Sequence, residues 1–260
     1  MVDGSWYLSG SGRDAAAEYA AGHIPGAVFF DLEATSDPQT SLPHMLPSAA
    51  DFASRMTQLG LHDTDDVIVY DGSGANLSAA RVWWTFRVFG HQRVALLNGG
   101  MGKWRWEHRP IQRGIITLPR GRFTAQLQEA AVRDLADMRA NLIHQREQVV
   151  DLRPAGRFQG TDPEPRAGVR PGHLPGSRNI PYTQLVKPDG TILPASELRR
   201  RLEAIGVDLS QPIVATCGSG TSACSLILAL ELLGHRDTAV YDGAWTEWGS
   251  RSDTPVEPSL

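Results

Sequence analysis

The chain has 260 residues, 41% of them hydrophobic, with 25 basic against 29 acidic side chains: enough apolar material for one large core or two ordinary ones, and too much for a disordered chain. A formal charge of -4 lacks the basic surplus that phosphate backbones demand, so nucleic acid is not an expected partner. No stretch approaches the roughly 20 unbroken apolar residues of a membrane span, and MVDGSWYLSGSGRD has no basic-then-apolar leader, so a soluble, cytoplasmic protein without a membrane partner is expected.

In chain order, the first marked segment is GHIPGAVFFDL at 22–32. VIVY at 67–70 follows, a short apolar run rich in β-branched residues that suits a strand covered on both faces of a parallel sheet. A Gly-rich turn leads to SAARVWWTFRVF at 78–89, too continuously apolar for an exposed helix and therefore packed on the sheet, with Gly90 ending it. VALLNGG supplies another strand and turn, with Trp104 five residues beyond Gly99. Residues 109–128 have the Pro, Gly and polar character of a connection.

The pattern then repeats. A second unit is expected to begin near QVVDLR at 148–153, and GHLPGSRNIPY at 172–182 matches the first motif at an offset of 150. PIVAT at 212–216, the helical SACSLILALELL at 222–233 ending at Gly234, and TAVYDGA before Trp248 match the later elements, the last ones at an offset of 144. Internal duplication implies two α/β domains, with the boundary placed near residue 130, as 1–130 and 131–260.

Duplication also supplies an internal control. Asp71 stands in the first half where Cys217 stands in the second, each followed by Gly-Ser-Gly, so only the second half has a nucleophile. TCGSGTSA lies between a buried strand and a helix N-terminus, where unpaired amides and the positive end of the helix dipole favour a thiolate. Gly218 and Gly220 let those amides converge on the sulfur, an arrangement suited to an anion or a persulfide and expected to make the thiol more acidic. The alternative is a buried structural cysteine. Cys224, inside the apolar helix, is expected to be core packing. Two cysteines are too few for a disulfide framework or a four-ligand zinc site, and no metal constellation or phosphate-binding loop is present in the sequence.

These features resemble the two-domain rhodanese, or sulfurtransferase, family: two tandem rhodanese-like domains, each a mainly parallel sheet flanked by helices, with the nucleophile only in the second. The neutral loop Cys217-Gly218-Ser219-Gly220 replaces the basic loop of thiosulfate-specific members and is similar to the 3-mercaptopyruvate branch, as are DGSWYL, GRDA, RVWWTFRVFGH, GRFQGTDPEPR and VDLSQPIVATCGSG. The resemblance implies that Arg157 and Arg166 hold the substrate carboxylate and keto group, a task suited to planar paired donors. Taken alone, these arginines read as surface salt bridges with Asp162 or Glu164. The resemblance also implies a proton relay of Ser219 and His44, with Glu33 where an aspartate is usual, so the catalytic set is Cys217, Ser219, His44 and Glu33. Taken alone, His44 is a loop histidine and Glu33 a solvated charge. The loop residues Gly218, Gly220, Thr221 and Ser222 are expected to contribute to substrate binding, and an interdomain cleft is expected.

The implied reaction moves sulfur from 3-mercaptopyruvate through a Cys217 persulfide to cyanide or a thiol acceptor such as thioredoxin, without a cofactor. A thiosulfate sulfurtransferase is the nearest alternative. A cysteine phosphatase would need an arginine in 218–225, which has none, and a non-catalytic rhodanese-like interaction protein would be expected to lack Cys217. His23 and His173, at equal places in both repeats, read as fold residues, as do the pair Asp151 and Arg153 and the packing residues Trp245 and Trp248.

Overall fold

The computed structural model describes residues 1–257 and divides into two units. Unit 1 gathers Met1–Gln39, Leu46–Gln128 and Val186–Ile192, and unit 2 gathers Thr40–Met45, Glu129–Leu185 and Leu193–Leu260, its last three residues lying outside the described ones. Neither unit is therefore one continuous stretch.

In unit 1 the strands β1 (Val2–Asp3), β2 (Val28–Phe29), β3 (Val67–Tyr70) and β4 (Val94–Leu96) form a parallel sheet in the order β2-β1-β3-β4. Helices α1 (Ala15–Ala21), α2 (Leu32–Thr35), α3 (Ala49–Gln58), α4 (Leu77–Val88) and α5 (Gly100–Trp106) complete it. Unit 2 contains β5 (Val132–Arg133), β6 (Gln148–Asp151), β7 (Arg178–Asn179), β8 (Ile213–Thr216) and β9 (Thr238–Tyr241), parallel throughout in the order β5-β9-β8-β6-β7. Its helices are α6 (Leu135–His144), α7 (Ala155–Gln159), α8 (Ala195–Ala204), α9 (Ala223–Leu232) and α10 (Ala244–Ser250). The order β7-β6-β8-β9 repeats β2-β1-β3-β4, as duplication requires.

β3 and β8 are buried, apart from Ile68, which explains their apolar composition. α4 and α9 bury nearly every side chain and each packs on its own sheet, and Gly90 and Gly234, both with positive φ, follow their ends and close them. His91 N–H reaches back to Phe86 O, and His235 N–H to Leu230 O, the long-range bond that ends a helix around a left-handed glycine. Trp245 and Trp248 lie at 0% exposure in the unit 2 core with Met138, Val149, Leu174, Val214 and Tyr241.

The paired histidines have fold roles. His23 Nδ1 bonds Tyr19 O at 2.9 Å and its ring stacks on Tyr19, while His173 Nδ1 bonds Phe158 O at 2.9 Å and stacks on Phe158. Unit 2 also begins earlier than its first clear strand signal at 148. β5 pairs with β9, and α6 starts at Asp134, whose carboxylate caps Asp137 N–H while the Asp137 carboxylate accepts from Asp134 N–H.

Candidate active site

Cys217 follows the last residue of β8, and the chain then turns through Gly218, Ser219 and Gly220 into α9. Gly220 needs its glycine, with φ at 75° in the left-handed region. Cys217 is 2% exposed. Three carbonyls of the loop are engaged: Cys217 O accepts from Trp245 N at 2.9 Å, Gly218 O from Thr246 N at 3.0 Å and Thr246 Oγ1 at 2.6 Å, and Gly220 O from Cys224 Sγ at 3.3 Å. The amides of Gly218 and Ser219 have no protein acceptor among the described residues. These two amides are donors available to an anion held by the loop, as in a backbone nest.

α10 anchors this loop through an unusual backbone. Ala244, at its first position, has φ of 52°, which aims the following amides at Cys217 O and Gly218 O. The sequence reading missed Thr246. A signal was present, because repeat alignment sets Thr246 against Gly102, and the hydroxyl appears only in the half with the nucleophile.

His44 is on the short segment 40–45 that belongs to unit 2. Its Nδ1 lies 2.9 Å from Ser219 Oγ and 3.1 Å from Thr221 Oγ1. All three residues are buried, and His44 itself has a left-handed φ of 60°. A non-glycine residue held in that region needs a surrounding structure that over-determines it. Glu33 lies in unit 1, in the first turn of α2, where its carboxylate accepts Trp6 Nε1–H at 2.8 Å.

Arg157, on α7, has its guanidinium beside the loop: a methyl group added at Gly218 would stand 3.0 Å from Nη2. Its ion pair is with Glu164 at 2.5 Å. Glu164 is no surface partner, since its side chain is 4% exposed and it also accepts from Arg153 Nη1 at 2.8 Å. Arg153 in turn forks onto Asp151 at 2.7–2.9 Å, both side chains at 1% exposure or less, with its guanidinium 4.4 Å from the centre of the Trp245 ring. Two carboxylates thus alternate with two guanidiniums, from the buried Asp151 and Arg153 through Glu164 to the partly exposed Arg157 beside the loop. Arg166 is half-buried, two residues beyond Glu164, and Asp162 is exposed. Ser222 is half-buried at the start of α9, and Cys224 is fully buried.

Chemically, the loop combines a thiol, free amides, a hydroxyl bonded to an imidazole and an adjacent guanidinium, a set able to attack a sulfur or carbon centre, hold an anion and move a proton. Among the described residues no group of three or more His, Cys, Asp or Glu side chains could hold a metal ion, and no helix is long and apolar enough to cross a membrane.

Comparison with known proteins gives the same picture. The chain is 47% identical over 253 residues to rat 3-mercaptopyruvate sulfurtransferase, covering 97% of this chain and 85% of the relative. It is 42% identical over 254 residues to bovine thiosulfate sulfurtransferase, covering 97% and 85%. The crystal structure of SseA from Escherichia coli, described as having the rhodanese fold of 3-mercaptopyruvate sulfurtransferases, superimposes with a TM-score of 0.86 at 40% identity over 94% of this chain and 91% of that one. The family model for the rhodanese-like domain matches twice, at residues 13–107 and 134–251, and the chain belongs to the rhodanese-like family as a tandem pair of its domains.

Proposed function

We propose that the protein is a 3-mercaptopyruvate sulfurtransferase in which residues 131–260 form the catalytic domain and residues 1–130 a domain without a nucleophile. The observation that carries this reading is the placement of Arg157 against Gly218, which sets a guanidinium beside a neutral nucleophile loop. A carboxylate-bearing donor fits that arrangement: its charge meets arginine at the edge, and its uncharged thiol end enters the loop.

In the first half-reaction the Cys217 thiolate attacks the sulfur of 3-mercaptopyruvate. An S–S bond forms, the C–S bond breaks, and its electron pair leaves on the pyruvate enolate. Arg157 and Arg166 hold the carboxylate and keto oxygens, and the enolate carbon gains the proton that the transferred sulfur gives up. Ser219 and His44 carry that proton, and Glu33 is assigned to orient the histidine. The backbone of Gly218, Gly220, Thr221 and Ser222 frames the substrate. In the second half-reaction a thiolate acceptor, of the thioredoxin class, or cyanide takes the outer sulfur and the Cys217 thiolate returns. Burial of Cys217 keeps bulk water from the persulfide. Both cysteines are free thiols, which suits a reducing compartment, and we assign the protein to the cytoplasm.

Thiosulfate is the second reading, favoured by the same Arg157 if it meets a dianionic donor. The two are separated by comparing donors at equal enzyme. The deciding experiment is mass spectrometry after exposure to 3-mercaptopyruvate, with one added sulfur expected on the Cys217 peptide. Sulfur on Cys224 instead, or turnover unchanged in Cys217→Ser, overturns the mechanism.

A further inference from the structure

We propose that Thr221 is a positioning residue for the proton relay, acting through His44. The inference rests on the sulfurtransferase reading above. His44 Nδ1 has two hydroxyl neighbours, Ser219 Oγ at 2.9 Å and Thr221 Oγ1 at 3.1 Å. A ring nitrogen has either one lone pair or one hydrogen, so it cannot hold two hydroxyls at full strength. One hydroxyl is therefore surplus in the resting enzyme, and it becomes necessary once the other turns away.

The two hydroxyls are mounted differently. Ser219 lies between Gly218 and Gly220, the most permissive backbone in the loop. Thr221 is β-branched and stiff about χ1, and its carbonyl accepts Cys224 N–H at 3.3 Å at the entry to α9. Ser219 is thus the hydroxyl free to turn toward the reacting sulfur and carbon, and Thr221 the fixed one. While Ser219 is engaged there, Thr221 bonds Nδ1, which would otherwise be a buried nitrogen with that hydroxyl partner gone. Thr221 keeps its own hydrogen throughout: it holds the His44 ring in place while Ser219 is engaged and is not itself a carrier of the proton that Ser219 and His44 move. The first repeat supports this division of labour. Its Ser73 hydroxyl is turned inward onto Asp71 Oδ1 at 2.7 Å, and the residue after its Gly-Ser-Gly is Ala75, without a hydroxyl.

The test is steady-state kinetics with 3-mercaptopyruvate on Thr221→Val, Thr221→Ser and Ser219→Ala, together with the Ser219→Ala/Thr221→Val double variant, each checked by thermal unfolding. Loss of one hydroxyl partner is expected to lower kcat about fivefold in Thr221→Val with KM within about twofold of the parent. Thr221→Ser should restore kcat, and in the Ser219→Ala background Thr221→Val should cost less than about twofold more, because the serine it serves is gone. An unchanged kcat, a rise confined to KM, or the full loss repeated in the Ser219→Ala background overturns the inference. If Thr221→Val does not fold, Thr221→Ser against Thr221→Ala carries the same comparison. Persulfide formation on the parent enzyme is measured in parallel, so its failure strikes the sulfurtransferase reading and a normal result with an unaffected Thr221→Val strikes this inference alone.

Discussion

Two loops of one ancestral design hold different contents. In unit 1 the turn after β3 closes around its own carboxylate: Asp71 Oδ1 accepts Ser73 N–H at 2.9 Å and Ser73 Oγ–H at 2.7 Å, while Oδ2 accepts Ala79 N–H at 2.8 Å and Ser78 Oγ–H at 3.2 Å. In unit 2 the corresponding turn holds Cys217, with Ser219 and Ala223 at the places of Ser73 and Ala79. The first loop shows what the second is shaped to receive. An aspartate oxygen and the outer sulfur of a cysteine persulfide are the same number of bonds from Cβ, so the anion built into unit 1 corresponds to the anion that unit 2 acquires by reaction.

Breaking that correspondence at its centre should have the largest effect. Cys217→Ser is expected to lower 3-mercaptopyruvate turnover at least about 10³-fold, by analogy with other lost nucleophiles. Cys217→Asp is equally inactive but should raise the melting temperature above that of Cys217→Ser, since its carboxylate fills the nest as Asp71 fills its own. Calorimetry of the two variants decides it, and a less stable aspartate variant breaks the equivalence of the loops.

The next difference is an insertion. Tyr19 stands four residues before the histidine it stacks on, whereas Phe158 stands fifteen before His173, and the additional residues carry Glu164 and Arg166. Arg157→Ala and Arg166→Ala are each expected to lower kcat/KM for 3-mercaptopyruvate by about 10- to 150-fold, the loss of about 1.5–3 kcal/mol for a charged hydrogen bond. Equal losses with a sulfur donor lacking a carboxylate would remove the clamp. Arg157→Lys should not restore activity, because a single ammonium cannot bond Glu164 and a carboxylate in one plane.

Much of this was legible in the residues because duplication exposes it. β3 and β8 could be read from their β-branched runs, and the chemical asymmetry between Asp71 and Cys217 needs only alignment. His23 and His173 could be assigned to the fold because one belongs to a half with no nucleophile. Other features leave no local pattern. β5 is two residues long, below any periodicity, and its pairing with β9 depends on partners about a hundred residues away. The grouping of 40–45 with unit 2, and of 186–192 with unit 1, is a long-range property of the backbone. Glu164 reads as a surface acid in a Pro-rich segment, and only the fold shows it shared by two guanidiniums.

The anchoring helices give a smaller contrast. Gly100 and Ala244 both have φ of 52°, and each precedes the residue whose amide bonds the loop carbonyl: Met101 N to Asp71 O and Trp245 N to Cys217 O, both 2.9 Å. The preceding glycines differ, with φ of 92° at Gly99 and -65° at Gly243, so the two chains enter the turn differently. A methyl on Gly100 would stand 2.5 Å from Asp71 O. Gly100→Ala is therefore expected to destabilise by about 2–4 kcal/mol, combining overpacking with left-handed strain. Ala244→Gly should relieve strain and change stability by no more than about 1 kcal/mol, because greater freedom of the unfolded chain offsets part of the gain. Denaturant titration measures both, and equal costs would mean the two turns are not distinguished by their entry geometry.

A last contrast, with its smallest effect at Asp3, lies in the paired acids at the ends of β1 and β6. Asp151 faces the Arg153 guanidinium fork, whereas the partners of Asp3 are neutral: Ser5 donates N–H at 3.0 Å and Oγ–H at 2.5 Å to Oδ1, and the Tyr70 hydroxyl bonds the carboxylate. Burial pushes the Asp3 carboxyl above its usual range, with the nearby Asp71 charge adding to the rise against the Ser5 and Tyr70 hydrogen bonds. A carboxyl raised on folding binds its proton more tightly in the native state, so its charged form costs stability above the folded pKa and the cost disappears as pH falls toward the unfolded value of 3.8. Asp3→Asn retains an oxygen for both Ser5 donors and removes the charge. It should raise the melting temperature at pH 7 and lose that advantage progressively as the pH approaches 4. The equivalent Asp151→Asn should do the opposite at pH 7, destabilising unit 2 by leaving the buried Arg153 without its full counter-charge. A destabilised Asp3→Asn at neutral pH would show that Asp3, like Asp151, is held as a charged group by an interaction stronger than its burial.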